Sequence, residues 1–421
     1  MSQSKRYPWL VVGLLWGVAL LNYMDRQMLS TMRPSMKVDI AELQEATYFG
    51  YLMAIFLWIY GLMSPVAGLL ADKLNRKYLI VGSLFVWSAV TLAMGYATHF
   101  DQLYVLRALM GVSEAIYIPA GLSLIADYHS NKTRSLAVGI HMTGLYTGQA
   151  LGGFGATLAA QFSWKMAFWG MGWVGILYAG VLMLLLKEKR DEGIDAQEAL
   201  RKHSSEAKLS PGVLKNLRSL FGNFSFWLMI LYFAIPSLPG WGIKNWLPTL
   251  FSINLGIDMV QAGPLSTITI AISSFVGVIT GGILSDRWAQ RNSRGRVYVS
   301  AIGLLLTIPS LLFLGFGNSL YHVIAAALCF GFGFGLFDAN NMPILCQVVT
   351  ARQRATAYGV MNMMGVFAGA MVTNWLGRST DAGNLGRDFA WLAGVVALAV
   401  IIQLLFLRPS SQTSDPSQRM L

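Results

Sequence analysis

Apolar stretches of about twenty residues recur along the whole chain, separated by short polar and basic segments; a bilayer core of roughly 30 Å needs a helix of about that length. This pattern predicts twelve membrane-spanning helices, over 8–31, 46–71, 78–97, 101–126, 135–158, 165–187, 223–250, 262–285, 296–316, 319–346, 355–377 and 388–407. The expected fold class is therefore an all-α membrane protein. A transmembrane β-barrel is excluded, because its strands alternate apolar and polar residues over much shorter segments. The connection 188–222 (EKRDEGIDAQEALRKHSSEAK within it) is the longest and most polar, and it divides the chain into an N-terminal bundle, 1–187, and a C-terminal bundle, 223–407, with a tail at 408–421.

Composition agrees with the pattern: 55% of the 421 residues are hydrophobic and only 12% charged, where soluble chains carry about a quarter charged residues. The net charge of +11 raises the question of a nucleic-acid partner, and its distribution answers it. Of the 31 Lys and Arg residues, 23 fall on the side that holds the N-terminus, the long connection and the tail, while Arg33, Lys37, Lys165, Arg378 and Arg387 fall on the other. That asymmetry is the positive-inside signal and places both termini in the cytoplasm. The N-terminal MSQSKRYPW leads into a span too long for a signal h-region, so no cleavable signal peptide is expected. Cys329 and Cys346 give no disulfide framework, no metal-ligand cluster is expected, and no P-loop exists to power transport with ATP. No catalytic nucleophile set is visible, so neither an enzyme nor a bound cofactor is expected.

The halves repeat each other. The stretch 68-GLLADKLNRK-77 after the second span is echoed by 282-GILSDRWAQR-291 after the eighth, and 134-RSLAVG-139 by 354-RATAYG-359, at offsets of 214 and 220 residues. Parallel repeats of six helices are a known transporter architecture, with the substrate site between them near the midplane. The loop GLLADKLNRK resembles the signature loop of the major facilitator superfamily. The resemblance implies that Asp72 and Arg76, and their counterparts Asp286 and Arg287, act as gating residues that tie the bundles together in one conformational state. It also implies a monomer.

Six ionisable residues stand well inside the spans: Asp25, Arg26, Arg107, Glu114, Lys244 and Asp338. Charges in hydrocarbon are costly, and they usually face a partner or a watery cavity on a transport path. Fully ionised, the set sums to zero; adding one proton to a carboxylate leaves a net positive site that favours an anion. This balance points to proton-coupled anion transport. Arg107 and Glu114, seven residues apart, share a face of the fourth helix, while the adjacent Asp25 and Arg26 point about 100° apart and so serve different partners. Glu114 lies in the more apolar setting (GVSEAIYIP), where its charged form is costlier, and is favoured as the proton-cycling group. Lys244 is read as snorkelling to the outer interface from its helix end. Asp338 is either an ion-handling group or a carboxylate satisfied by the neighbouring Asn340 and Asn341. His141 and His322 are read as incidental.

The combination of NYMDR in the first span, 107-RALMGVSEA-115 in the fourth and 246-WLPT-249 in the seventh resembles the anion:cation symporter branch, which includes bacterial sugar-acid transporters and sialin-like proteins. The resemblance implies that Asp25 and Glu114 couple protons, that Arg26 and Arg107 handle the anion, and that Tyr23, Tyr60, Gln149 and Asn362 contact substrate. It implies a bacterial inner-membrane protein whose partners are a small organic anion, protons and membrane lipids. The chain departs from the branch at QMLSTM in the first span and in the acid of 338-DANNMP-343. The GxxEA pattern is shared with Spinster-like lipid transporters, so a carrier of lysolipid or another amphiphile is the rival expectation.

Overall fold

The structure, a computed structural model, describes residues 6–129, 133–188, 220–349 and 354–407, and within these leaves the side chains of Asp72, Lys73, Ser135 and Ala355 undescribed. Among the described residues the elements are helical throughout. In order they are α1 (Tyr7–Asp39), a 3-10 turn (Ala41–Gln44), α2 (Ala46–Lys73), α3 (Arg76–Met94), α4 (Phe100–Tyr128), α5 (Arg134–Gly152), α6 (Gly155–Gln161) and α7 (Trp164–Leu185). The second half follows with α8 (Phe224–Leu255), α9 (Met259–Ala289), α10 (Gly295–Phe316), α11 (Leu320–Asp338), α12 (Asn341–Val348), α13 (Arg354–Asp381) and α14 (Leu385–Phe406). The helix boundaries have local causes. Pro8 opens α1, the side chains of Asn75, Ser163 and Asn223 cap α3, α7 and α8, and Gly256 ends α8 at φ 63°, where other residues are strained.

Among the described residues, ten helical segments are long and apolar enough to cross a membrane, with α11 and α12 counted as one. The expected fifth and eleventh spans, occupied by α5 and α13, are not among them. Both are rich in Gly and Thr, and they pack at the middle of the molecule. Two expected spans are broken. The fifth divides at Gly153–Phe154, where a Cβ on Gly153 would meet the carbonyl oxygen of Gly263 at 2.8 Å, so the backbones of the two halves touch there. The tenth divides at Ala339–Asn340. Pro343 lies four residues beyond Ala339, and its ring displaces the helical hydrogen bond that would end on that carbonyl.

Packing repeats in the two halves. In the first, α1 packs on α5, α2 and α3 on α4, and α3 on α7; in the second, α8 packs on α13, α9 and α10 on α11, and α10 on α14. The halves meet mainly through α2 against α13 and α5 against α9, which is the same pairing read in the two directions. Among the described residues, the start of α1 and the end of α14 lie on one side. Tyr7 donates to the Leu185 carbonyl (2.9 Å) and Arg294 to that of Leu404 (2.5 Å), and α1 and α14 both end there.

Candidate functional site

Between the halves lies a cavity of about 710 Å3. Its lining includes Gly68 and Ala71 near the end of α2, Leu122 of α4 and Tyr358 at the start of α13, all on the side of the chain termini. Met342 and Tyr358 at its rim are exposed. On the opposite side the halves are shut. Thr267 donates to the Ala150 carbonyl (3.0 Å), Gln27 to that of Lys244 (3.0 Å) and Arg378 to the Tyr51 hydroxyl (3.0 Å), while Asp381 accepts from the Ala46 and Thr47 amides.

Nine of the expected residues divide between the cavity wall and the layer behind it. Tyr23, Tyr60, Gln149, Asn362 and Asp338 line the cavity. Behind Tyr23 and Tyr60 stands the Arg26–Glu114 ion pair, with Nε 2.5 Å from Oε2. Asn22 Nδ2 donates to the same Glu114 oxygen at 3.0 Å. Asn22 and Arg26 are four residues apart on α1 and therefore converge on one acceptor. The Arg26 guanidinium also stacks against rings, 4.7 Å from Tyr60, 4.8 Å from Phe56 and 5.2 Å from Tyr23. Arg107 lies 4.5 Å from the Phe56 centroid, so one aromatic ring carries two guanidinium groups. Each such contact is worth roughly 2 kcal/mol when desolvated.

This network is only half satisfied. Asn22 Oδ1, Arg26 Nη2, Arg107 Nε and Glu114 Oε1 are buried without a hydrogen-bond partner among the described residues. Arg107 Nη1 finds only the Met110 sulfur, at 3.0 Å. Asp25 stands apart from Arg26, as their angular separation requires, and accepts from Thr91 Oγ1 at 2.5 Å. Asp25, Arg26, Arg107 and Glu114 are not among the cavity-lining residues, and Glu114 is wholly buried.

The expectation for Lys244 is corrected. Its side chain does not reach the outer interface but lines the central cavity, over the Trp241 ring at 4.7 Å. The reason lies in α8, which continues to Leu255 and so buries Lys244 in mid-helix. Asp338 lines the same cavity and accepts from Asn341 Nδ2 at 3.0 Å; Asn340 instead bonds the Leu336 carbonyl.

The gating residues are placed as follows. The side chain of Asp72 lies outside the described residues. Arg76 pairs with Asp127 of α4, and Asp286 with Arg296 of α10 at 2.9 Å, each within its own half. Among the described residues neither pair bridges the halves, which accords with a cavity open on that side. Sequence reasoning missed Asn22, whose spacing to Arg26 was a readable signal, and also Phe56, Thr91 and Asp381, which carried none.

Comparisons with known proteins bear on this architecture. The family model described as the Major Facilitator Superfamily matches residues 15–373. The hexuronate transporter of Bacillus subtilis (strain 168) is 24% identical over 420 residues, covering 97% of this chain and 96% of the relative. The hexuronate transporter of Escherichia coli (strain K12) is 26% identical over 423 residues, covering 96% of this chain and 94% of the relative. Protein spinster homolog 1 of Homo sapiens is 29% identical over 372 residues, covering 83% of this chain and 68% of the relative. Among solved structures, a bacterial homolog of the human lysosomal transporter Spinster, in an inward-facing and occupied conformation, superposes with a TM-score of 0.79 at 19% identity, covering 97% of this chain and 98% of that one.

Proposed function

The chain belongs to the Major Facilitator Superfamily, and from that premise we propose that it is a secondary transporter that moves a small organic anion together with protons by alternating access. Residues 1–187 and 223–407 are the two rocking bundles, and 188–222 is the cytoplasmic linker. The termini face the cytoplasm of a bacterial inner membrane, so the state described here is inward-facing.

The observation that carries the reading is the buried Arg26–Glu114 pair directly behind the cavity tyrosines. A buried ion pair with unpaired oxygens and nitrogens is costly for stability alone, and it is suited to switching. When Glu114 is ionised it holds Arg26 neutralised. When Glu114 takes a proton, the positive charge of Arg26 is uncompensated beside the cavity and attracts an anion, with Arg107 adding to the field from behind Phe56. Anion and proton then favour each other's binding, which is the thermodynamic content of symport. Asp25, held by Thr91, is the second carboxylate available to the proton path. Tyr23, Tyr60, Gln149 and Asn362 offer polar contacts to the bound anion. The names of the hexuronate-transporting relatives make sugar acids the first class to test. Uptake of radiolabelled glucuronate into proteoliposomes under an inside-alkaline pH gradient, and its loss when the gradient is collapsed, tests the reading.

A second reading, carriage of a lysolipid or another amphiphile, is favoured by one feature: the mouth of the cavity is lined by Leu122, Met142, Val278 and Phe233. Movement of lysolipid with no response to organic acids is the result that selects it.

A further inference from the structure

The cavity holds charge and apolar surface in a definite order along its axis. The stripe of α8 that faces it, Phe233, Ser237, Gly240, Trp241 and Lys244, recurs at helical spacing, so these residues share one face. On the facing helix α11, Phe330, Phe334 and Asp338 recur every fourth residue and line the same cavity. Gly240 fixes the register: a Cβ there would meet the Phe334 ring at 2.5 Å, so the two helices are in contact at that level.

Depth follows from helix rise. Lys244 lies eleven residues from the far end of α8 at Leu255, and Phe330 ten residues from the far end of α11 at Leu320, which sets both roughly 15 Å from the closed side. Asp338 lies two turns further toward the open side, roughly 12 Å beyond Phe330 along the axis. The cavity thus runs from an ammonium at its closed end, past aromatic rings, to a carboxylate near its mouth. The rings of Phe330 and Phe334 are stacked, with centroids 5.7 Å apart and planes 11° from parallel.

Lys244 is also the cation on the described cavity wall, and the carboxylate that acts on its charge is Asp338 of the same wall, without direct contact. Among the described residues its ammonium makes no ion pair with a carboxylate, and its contact is the face of Trp241. Arg26 is held by Glu114 and Arg107 is turned onto Phe56, both behind the wall. Asp338 has one oxygen bonded to Asn341 and faces the cavity.

We infer that Lys244 holds the anionic group of the substrate, that the rings of Trp241, Phe330 and Phe334 hold a planar or apolar body, and that Asp338 receives a hydroxyl or amino donor at the far end. The substrate class is a ring-bearing organic acid with a distal donor, and Lys244 and Asp338 are its specificity-determining residues. This rests on the anion-transport reading above and narrows it. Polyhydroxylated acids would set some of their hydroxyls against the rings of Trp241, Phe330 and Phe334, where an unmade hydrogen bond is costly.

The test is isothermal titration of the full-length protein in detergent with 3-(4-hydroxyphenyl)propionate, 3-phenylpropionate and glucuronate. The hydroxylated ring acid is expected to bind about tenfold more tightly than the unsubstituted one, and glucuronate more weakly than either. Lys244→Gln weakens both ring acids by at least about thirtyfold, while Lys244→Arg, which keeps the charge, retains binding within a few-fold. Asp338→Asn removes the advantage of the hydroxyl and leaves 3-phenylpropionate unchanged. Equal affinity in Lys244→Gln and the unaltered protein overturns the assignment of Lys244 and leaves anion transport standing. Glucuronate binding as tightly as the ring acids overturns the aromatic subsite. If Lys244→Gln does not fold, Asp338→Asn and Lys244→Arg still decide, since loss of binding in Lys244→Arg or an unchanged hydroxyl advantage in Asp338→Asn contradicts the inference. Silence of the unaltered protein toward every acid overturns both this inference and the reading beneath it.

Discussion

The carboxylate of Asp381, at the last residue of α13, caps the first turn of α2: Oδ1 accepts from the Ala46 amide at 2.6 Å, and Oδ2 from the Thr47 amide at 2.7 Å and its hydroxyl at 2.6 Å. The residues are more than three hundred positions apart and belong to opposite halves. An acidic cap on a helix N-terminus is favourable both by hydrogen bonding and by the helix dipole. Here the contact joins the two halves on the closed side of the cavity.

Asp381→Ala is therefore expected to loosen the closed outer side. Losing a helix cap costs about 1 kcal/mol, roughly a fivefold shift in a two-state equilibrium. The readout is the rate at which an impermeant maleimide labels a cysteine placed at Tyr51, in a background where Cys329 and Cys346, both free thiols, are replaced by Ser. Labelling rises several-fold in Asp381→Ala. An unchanged rate removes Asp381 from the outer closure.

Sterics act on the same equilibrium from the other interface. A Cβ at Gly153 would meet the Thr267 hydroxyl of α9 and the Gly263 carbonyl oxygen, the latter at 2.8 Å. Backbone cannot yield as a flexible side chain does, so Gly153→Val is expected to open α5 from α9 and to raise outer labelling more than Asp381→Ala does. It also slows net uptake, because the inward-facing state becomes harder to reach. Normal uptake and labelling in this variant contradict the close contact.

Much of this was legible in the chain. The all-helical membrane class and the internal repeat follow from apolar length and from the GLLADKLNRK/GILSDRWAQR and RSLAVG/RATAYG pairs, while the expected division at 188–222 falls almost wholly outside the described residues. The repeat reappears in the packing, where α1 on α5 is matched by α8 on α13. Charge spacing gave part of the site: the divergence of Asp25 and Arg26 follows from helical angle alone. What sequence could not give was partnership across elements. Nothing in α3 marks Thr91 as the donor to Asp25, and nothing in α13 marks Asp381 as the cap of α2. Lys244 was misplaced because α8 runs to Leu255, five residues past the expected end at 250, so the lysine sits further from the helix end than the apolar pattern suggests. The breaks at Gly153 and Ala339 depend on neighbours and on Pro343, which an apolar count ignores.

The Arg26–Glu114 pair makes a stability prediction separate from transport. Removing the arginine alone leaves a buried carboxylate uncompensated, so Arg26→Met is expected to cost about 3–5 kcal/mol and to lower the Tm markedly. The double variant Arg26→Met, Glu114→Gln removes both charges and recovers most of that loss while remaining inactive. A double-mutant cycle from thermal or denaturant unfolding measures the coupling. Additive losses mean the two groups do not interact as placed.

Coupling and binding also separate in transport assays. Glu114→Gln keeps substrate exchange across the membrane, because the site still binds and reorients, but loses accumulation against a gradient. Asp25→Asn is expected to slow accumulation without abolishing exchange. Counterflow compared with net uptake distinguishes the two activities, and loss of both in Glu114→Gln contradicts its role as a coupling group distinct from binding.

The central claim, that an organic anion and protons cross together through this site, is tested most directly in proteoliposomes containing a trapped pH dye. Organic acids are added outside in turn, hydroxylated ring acids and hexuronates among them, and internal pH is recorded for the unaltered protein and for Glu114→Gln. The account predicts prompt internal acidification with at least one acid and none in Glu114→Gln. Acidification that persists undiminished in Glu114→Gln, or its absence with every acid, contradicts it.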